Sequence, residues 1–105
     1  MTQDTLWRLS ATETAARTRT GDLTAEAVTQ AAIGRMNAVN PALNAVVEDL
    51  GAEALERARA LDKARTAGQS TGPLHGVPVT IKINVDQAGH ATTNGVAALK
   101  DVIAP

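Results

Sequence analysis

The chain has 105 residues with ten Lys and Arg against eleven Asp and Glu, which excludes a second independent domain and leaves no basic block for a nucleic-acid or membrane face. Of its residues 44% are hydrophobic but only 1% aromatic, a single Trp7, so the core must be built from Ala, Val, Leu and Ile and is thin for its length. The absence of cysteine excludes disulfides and thiolate metal sites.

Ser10 followed by Glu13 is a capping-box pattern, the hydroxyl accepting from a first-turn amide and the carboxylate reaching back. With Gly21 as the stop, this predicts a helix over residues 11–20. Thr24 caps a second helix, 25–39, in which Val28, Ala32, Met36 and Val39 recur at helical spacing, and which ends at Asn40 before Pro41. The β-branched pair in NAVVED, residues 44–49, predicts a short strand between two helices. Asp49 then caps a third helix, 51–67, with Ala54, Leu55, Ala58 and Leu61 as its apolar stripe and Gly68 closing it. On its outer face Glu53 is spaced to pair with Arg57 and Asp62 with Arg65, worth ~0.3 kcal/mol each and carrying no functional meaning.

After the polar loop AGQSTG, residues 67–72, the run VPVTIKI, residues 77–83, has the composition of a strand. Val77, Val79, Ile81 and Ile83 share one face; Pro78, Thr80 and Lys82 share the other. From Asn84 to Gly95 the composition is that of a loop, and VAALKDVI starts another helix. Helix, helix, strand, helix, strand is an α/β pattern with too few strands to finish a sheet. Residues 1–105 are expected to form one domain with about three helices and two or more strands.

The segment GPLHGVPVTIKIN, residues 72–84, resembles the lysine-bearing strand of the amidase-signature family, whose usual form is a Gly-Pro-Leu-His-Gly lead, a short apolar strand and then Lys-Asp-Asn. Upstream, GDLTAEAVTQAAIGRMNAVNPALNAVVED, residues 21–49, is similar to the family's second helix, Asn-Pro turn and first strand. Downstream, AGHATTNGVAALKD, residues 88–101, is similar to the loop after the lysine strand. The resemblance implies the start of the amidase fold and amide hydrolysis by a serine nucleophile, relayed through a second serine in a cis peptide to a lysine acting as general base. Residue matching makes Lys82 that lysine. A free lysine, with pKa ~10.4, is protonated at neutral pH, so such a base needs burial to release its proton.

Two features depart from the family pattern. Ile83 stands where an acidic residue is usual, extending the apolar face of the strand. The Gly-Ser-rich stretch that carries both serines and helps form the oxyanion site is absent, leaving Ser10, a helix cap, and Ser70, in a loop. Neither reads as a nucleophile.

Other residues have plainer readings. Without its context Lys82 is a solvated strand lysine or an edge guard against aggregation. His75 and His90 are loop histidines without a spaced second ligand, and no metal or other cofactor is expected. Gly72, Gly76 and Gly89 form no phosphate-binding pattern and are turn glycines. Trp7, beside Leu6 and Leu9, is a packing anchor. With no apolar signal-peptide core and no run near the roughly 20 residues that cross a bilayer, a cytoplasmic protein without a membrane partner is expected.

Three functional expectations follow. The chain is a truncated amino-terminal part of an amidase, inactive alone and self-associating; or a subunit or split half completed by a serine-bearing carboxy-terminal partner; or a non-enzymatic oligomerising helical module. The expected partner is a second copy or the missing portion of the enzyme, and no nucleic acid.

Overall fold

The computed structural model describes residues 3–105. A 3₁₀ segment, Gln3–Arg8, leads into α1 (Ala11–Thr20), α2 (Ala25–Leu43) and α3 (Gly51–Thr66), and a last 3₁₀ turn spans Ala97–Leu99. No strand forms among the described residues; one isolated antiparallel bridge joins Ala91 and Ile103. The helical half of the expected α/β fold is present, and its strands are not.

α1 starts as its sequence dictates. The Ser10 hydroxyl accepts from the Glu13 amide at 3.1 Å, and Gly21 closes the helix in the left-handed region at φ 83°. The reciprocal half of the capping box is missing, because the Glu13 carboxylate pairs instead with Arg17 at 3.1 Å, one turn on.

α2 is the central element. Leu6 from the first 3₁₀ segment packs with Val28 and Ala31, with Leu9, Leu23 and Ala27 around them. Its buried residues are Ala25, Val28, Thr29 and Ala31, so of the expected stripe Val28 is buried while Ala32, Met36 and Val39 are only half-buried. The helix also runs past Asn40 and Pro41 to Leu43. Proline's fixed φ suits a helix and its missing amide costs one bond. Asn44, at φ 52°, caps the extension by donating to the Asn40 carbonyl at 2.6 Å.

NAVVED is irregular rather than a strand. Its backbone is paired by a side chain: Asn40 Oδ1 accepts from the Val46 amide at 2.8 Å and Asn40 Nδ2 donates to the Val46 carbonyl at 3.0 Å. Asp49 accepts from the Gly51 amide at 2.8 Å, but the cap position of α3 is Leu50 and has no side-chain bond. Gly68, at φ 83°, follows the end of α3, as its sequence suggested.

The acids of α3 do not pair along the helix as expected. Asp62 reaches across to α2, Oδ1 accepting from Ala25 N–H at 2.7 Å and Oδ2 from Glu26 N–H at 3.0 Å. Thr24 Oγ1 takes the Ala27 amide at 3.0 Å, so the first three amides of α2 are all satisfied. Arg59 bonds Glu26 at 3.2 Å beside this junction.

Residues 67–105 have no regular element longer than three residues. The radius of gyration, 15.1 Å, exceeds the ~13 Å of a compact chain of this length. The run 77–83 is not a strand, because a ladder needs a neighbouring segment to exchange backbone bonds, and none lies beside it; Pro78 also removes one donor. VAALKDVI yields only the turn Ala97–Leu99.

Candidate functional site

The segment GPLHGVPVTIKIN is tied to the helices at its start. The His75 amide donates to the Gly72 carbonyl at 3.2 Å and the Val77 amide to that of Leu74 at 3.1 Å, folding the lead into a turn. That turn rests on α1. The Thr18 side chain, 1% exposed, directs its hydroxyl to the carbonyls of Thr14, one turn back, and of His75. Gly76 lies against it at φ 76°, where a Cβ would stand 2.8 Å from Thr18 Cβ and Cγ2. Both the conformation and the close approach require glycine. His75 is buried, and its Nε2 is without a hydrogen-bond partner.

Beyond Gly76 the chain leaves the helices. Val79 is 72% and Ile81 50% exposed, while Val77 and Ile83 are half-buried. Lys82 is exposed, and its carbonyl accepts from the Val85 amide at 3.0 Å. Water around the amine is the opposite of the dry setting a lysine base requires. Ser10 is occupied as the α1 cap, and Ser70 lies in an exposed loop. Among the described residues, neither serine is set up as a nucleophile.

The two histidines prove unlike each other. His75 is buried under α1, whereas His90 Nδ1 lies 3.0 Å from Glu48 Oε1 and its Nε2 3.1 Å from Glu53 Oε2. Its pKa is raised above the ordinary 6.5, chiefly by the Glu48 hydrogen bond and with help from Glu53, against the effect of desolvation. Sequence reasoning missed this cluster, since Glu48 and His90 are 42 residues apart and no local spacing signals their meeting. No group of three or more metal-ligating side chains stands ready for an ion among the described residues. Trp7 is half-buried outside the core cluster, with the Arg35 guanidinium over its ring at 4.3 Å and that of Arg8 at 5.0 Å. No helix among the described residues is long and apolar enough to cross a membrane.

A family model described as amidase matches residues 27–105. An indoleacetamide hydrolase of Bradyrhizobium diazoefficiens is 54% identical over 100 residues, covering 95% of this chain and 19% of the relative. An acylamidase of Rhodococcus erythropolis is 40% identical over 104 residues, 99% of this chain and 22% of its own. Among solved structures, a bacterial aryl acylamidase of the amidase-signature family superposes with a TM-score of 0.86 at 32% identity, covering 91% of this chain and 20% of that one. The chain thus spans about a fifth of the length of these relatives.

Proposed function

This chain belongs to the amidase family, and from that premise we propose that it is the lysine-bearing part of an amide hydrolase, with Lys82 as the general base and no turnover of its own. The observation that carries the reading is the sequence GPLHGVPVTIKIN, held to α1 through Thr18 and Gly76 and carrying Lys82 exposed. In the complete site a serine hydroxyl attacks the amide carbonyl while its proton passes through a second serine to Lys82. The proton then goes to the departing amine, and water releases the acyl group by the same route. This chain supplies the proton acceptor alone. Burial under the serine-bearing portion is what would turn the amine into a base.

The test is a chimera. The 100 residues of the Bradyrhizobium indoleacetamide hydrolase that this chain matches are replaced by those of this chain, and hydrolysis of indoleacetamide is followed. The chimera is expected to turn over, and Lys82→Ala to lower kcat by about 10²–10⁴-fold, the usual worth of a general base. The 105-residue chain is expected to hydrolyse nothing above background. An active chimera indifferent to Lys82→Ala, or Lys82-dependent turnover by the chain alone, would overturn the proposal.

A second reading, self-association, is favoured by exposed apolar side chains, with Leu74 at 64%, Val79 at 72% and Val102 at 61%. A second copy of the chain would cover them when the serine-bearing portion does not.

A further inference from the structure

His90 sits where the last part of the chain folds back on the helices. Its carbonyl accepts from the Ala104 amide at 2.9 Å, the Gly89 amide donates to the Ala104 carbonyl at 3.0 Å, and Ala91 bridges Ile103. Its side chain, 17% exposed, reaches Glu48 in the loop after α2 and Glu53 in the first turn of α3. Both ring nitrogens thus face carboxylate oxygens at hydrogen-bond distance. A carboxylate only accepts, so each nitrogen must donate, and only the imidazolium has two N–H donors. A neutral ring satisfies one carboxylate and turns a lone pair toward the other.

From this we infer that His90, Glu48 and Glu53 form a proton-dependent latch that holds the segment from His90 to Ala104 against α3 and the preceding loop, and opens as the ring loses its proton. Nothing in the amidase reading requires or supplies it. The neighbouring acids are otherwise engaged, Asp49 with the Gly51 amide and Asp86 with the Thr92 hydroxyl. Glu48 and Glu53 are the charges acting on the ring, and both raise its pKa. The N-terminal amides of α3 oppose a cation there, and Glu53 offsets them from within the first turn.

The sign of the linkage is fixed by the raised value. A histidine whose folded pKa exceeds its unfolded one adds stability that is fully present below the unfolded pKa, near 6.5, and lost as pH rises through the folded one. The latch is therefore closed in mild acid and opens toward alkaline pH.

Titration of the His90 ring resonances by NMR in the 105-residue chain is expected to give a midpoint above 6.5, lowered by Glu48→Gln and by Glu53→Gln and brought to 6.5 or below in the double variant. Hydrogen-exchange protection of the Gly89 and Ala104 amides, corrected for intrinsic rates, is expected to fall as pH rises, by about tenfold for each unit of the His90 shift. In His90→Gln that protection is expected to be low and independent of pH. A parental midpoint at or below 6.5, a midpoint unmoved in the double glutamine variant, or a fall in protection equal in His90→Gln would overturn the inference. Glu48→Gln and Glu53→Gln keep the side-chain shapes and test the latch even where His90→Gln fails to fold.

Discussion

Gly76 and Thr18 fit one another so closely that neither has a neutral substitute. A methyl group on Gly76 would meet the Thr18 side chain at 2.8 Å on a backbone at φ 76°, so Gly76→Ala is expected to cost ~1–3 kcal/mol. Thr18→Val keeps the shape and removes the hydroxyl that reaches the His75 carbonyl, for an expected ~1 kcal/mol. Urea denaturation measures both, and limited proteolysis within 77–83 should quicken in both. If neither variant changes the midpoint or the cleavage rate, this junction does not anchor the lysine segment. The sequence marked Gly76 as a turn glycine, which it is, but the approach of Thr18 from 57 residues away lay outside any local pattern. The family was legible because the thirteen residues 72–84, Lys82 among them, are contiguous in the chain. His90 was not, because its meaning depends on two acids brought in by the fold.

At the level of elements, what the sequence announced were the features settled within one turn: Ser10 and Gly21 at the ends of α1, Thr24 at the start of α2 and Gly68 after α3. What it misread was settled at a distance. Glu53 and Asp62 were spaced to pair along α3, yet one reaches His90 and the other α2, where each satisfies groups that an exposed helical pair leaves to water. The strand composition of 77–83 was real, but a strand exists only as part of a ladder. Because Asp62 accepts from two amides of α2, Asp62→Ala is expected to cost ~1–2 kcal/mol and to speed amide exchange at Ala25 and Glu26. Arg59→Ala, which breaks an exposed pair with Glu26, is expected to cost under ~1 kcal/mol. Equal effects of the two would show that Asp62 acts as a surface charge and not as a cap.

The whole molecule is a small helical cluster followed by a long irregular segment, residues 67–105. Its buried apolar residues are Leu6, Ala15, Ala25, Val28, Ala31 and Ala58, mostly alanines, while Val79, Ile81, Val102 and Ile103 stand at least half exposed. An apolar side chain is worth ~1.5–3 kcal/mol when fully buried, so covering several of them offsets much of the cost of association. Sedimentation equilibrium is expected to show concentration-dependent oligomers, weakened by Ile83→Asp and more strongly by Val79→Asp with Ile81→Asp, since Ile83 is already half-buried within the chain. A monomer at every concentration, unchanged by these charges, would remove self-association from the account.

The cap that Asp62 places on α2 also sets an order in time. Ala25 and Glu26 lie 37 and 36 residues ahead of the carboxylate that receives their amides, so during synthesis α2 emerges complete while two amides of its first turn still face water. Thr24 secures a third amide from within the same turn. The start of α2 is thus provisional until α3 has formed and swung back, and the two helices reach their final lengths together. A nascent chain stopped before residue 62 should carry an α2 that frays from its first turn while its Asn44 end stays closed, which amide exchange on stalled or truncated chains would read directly.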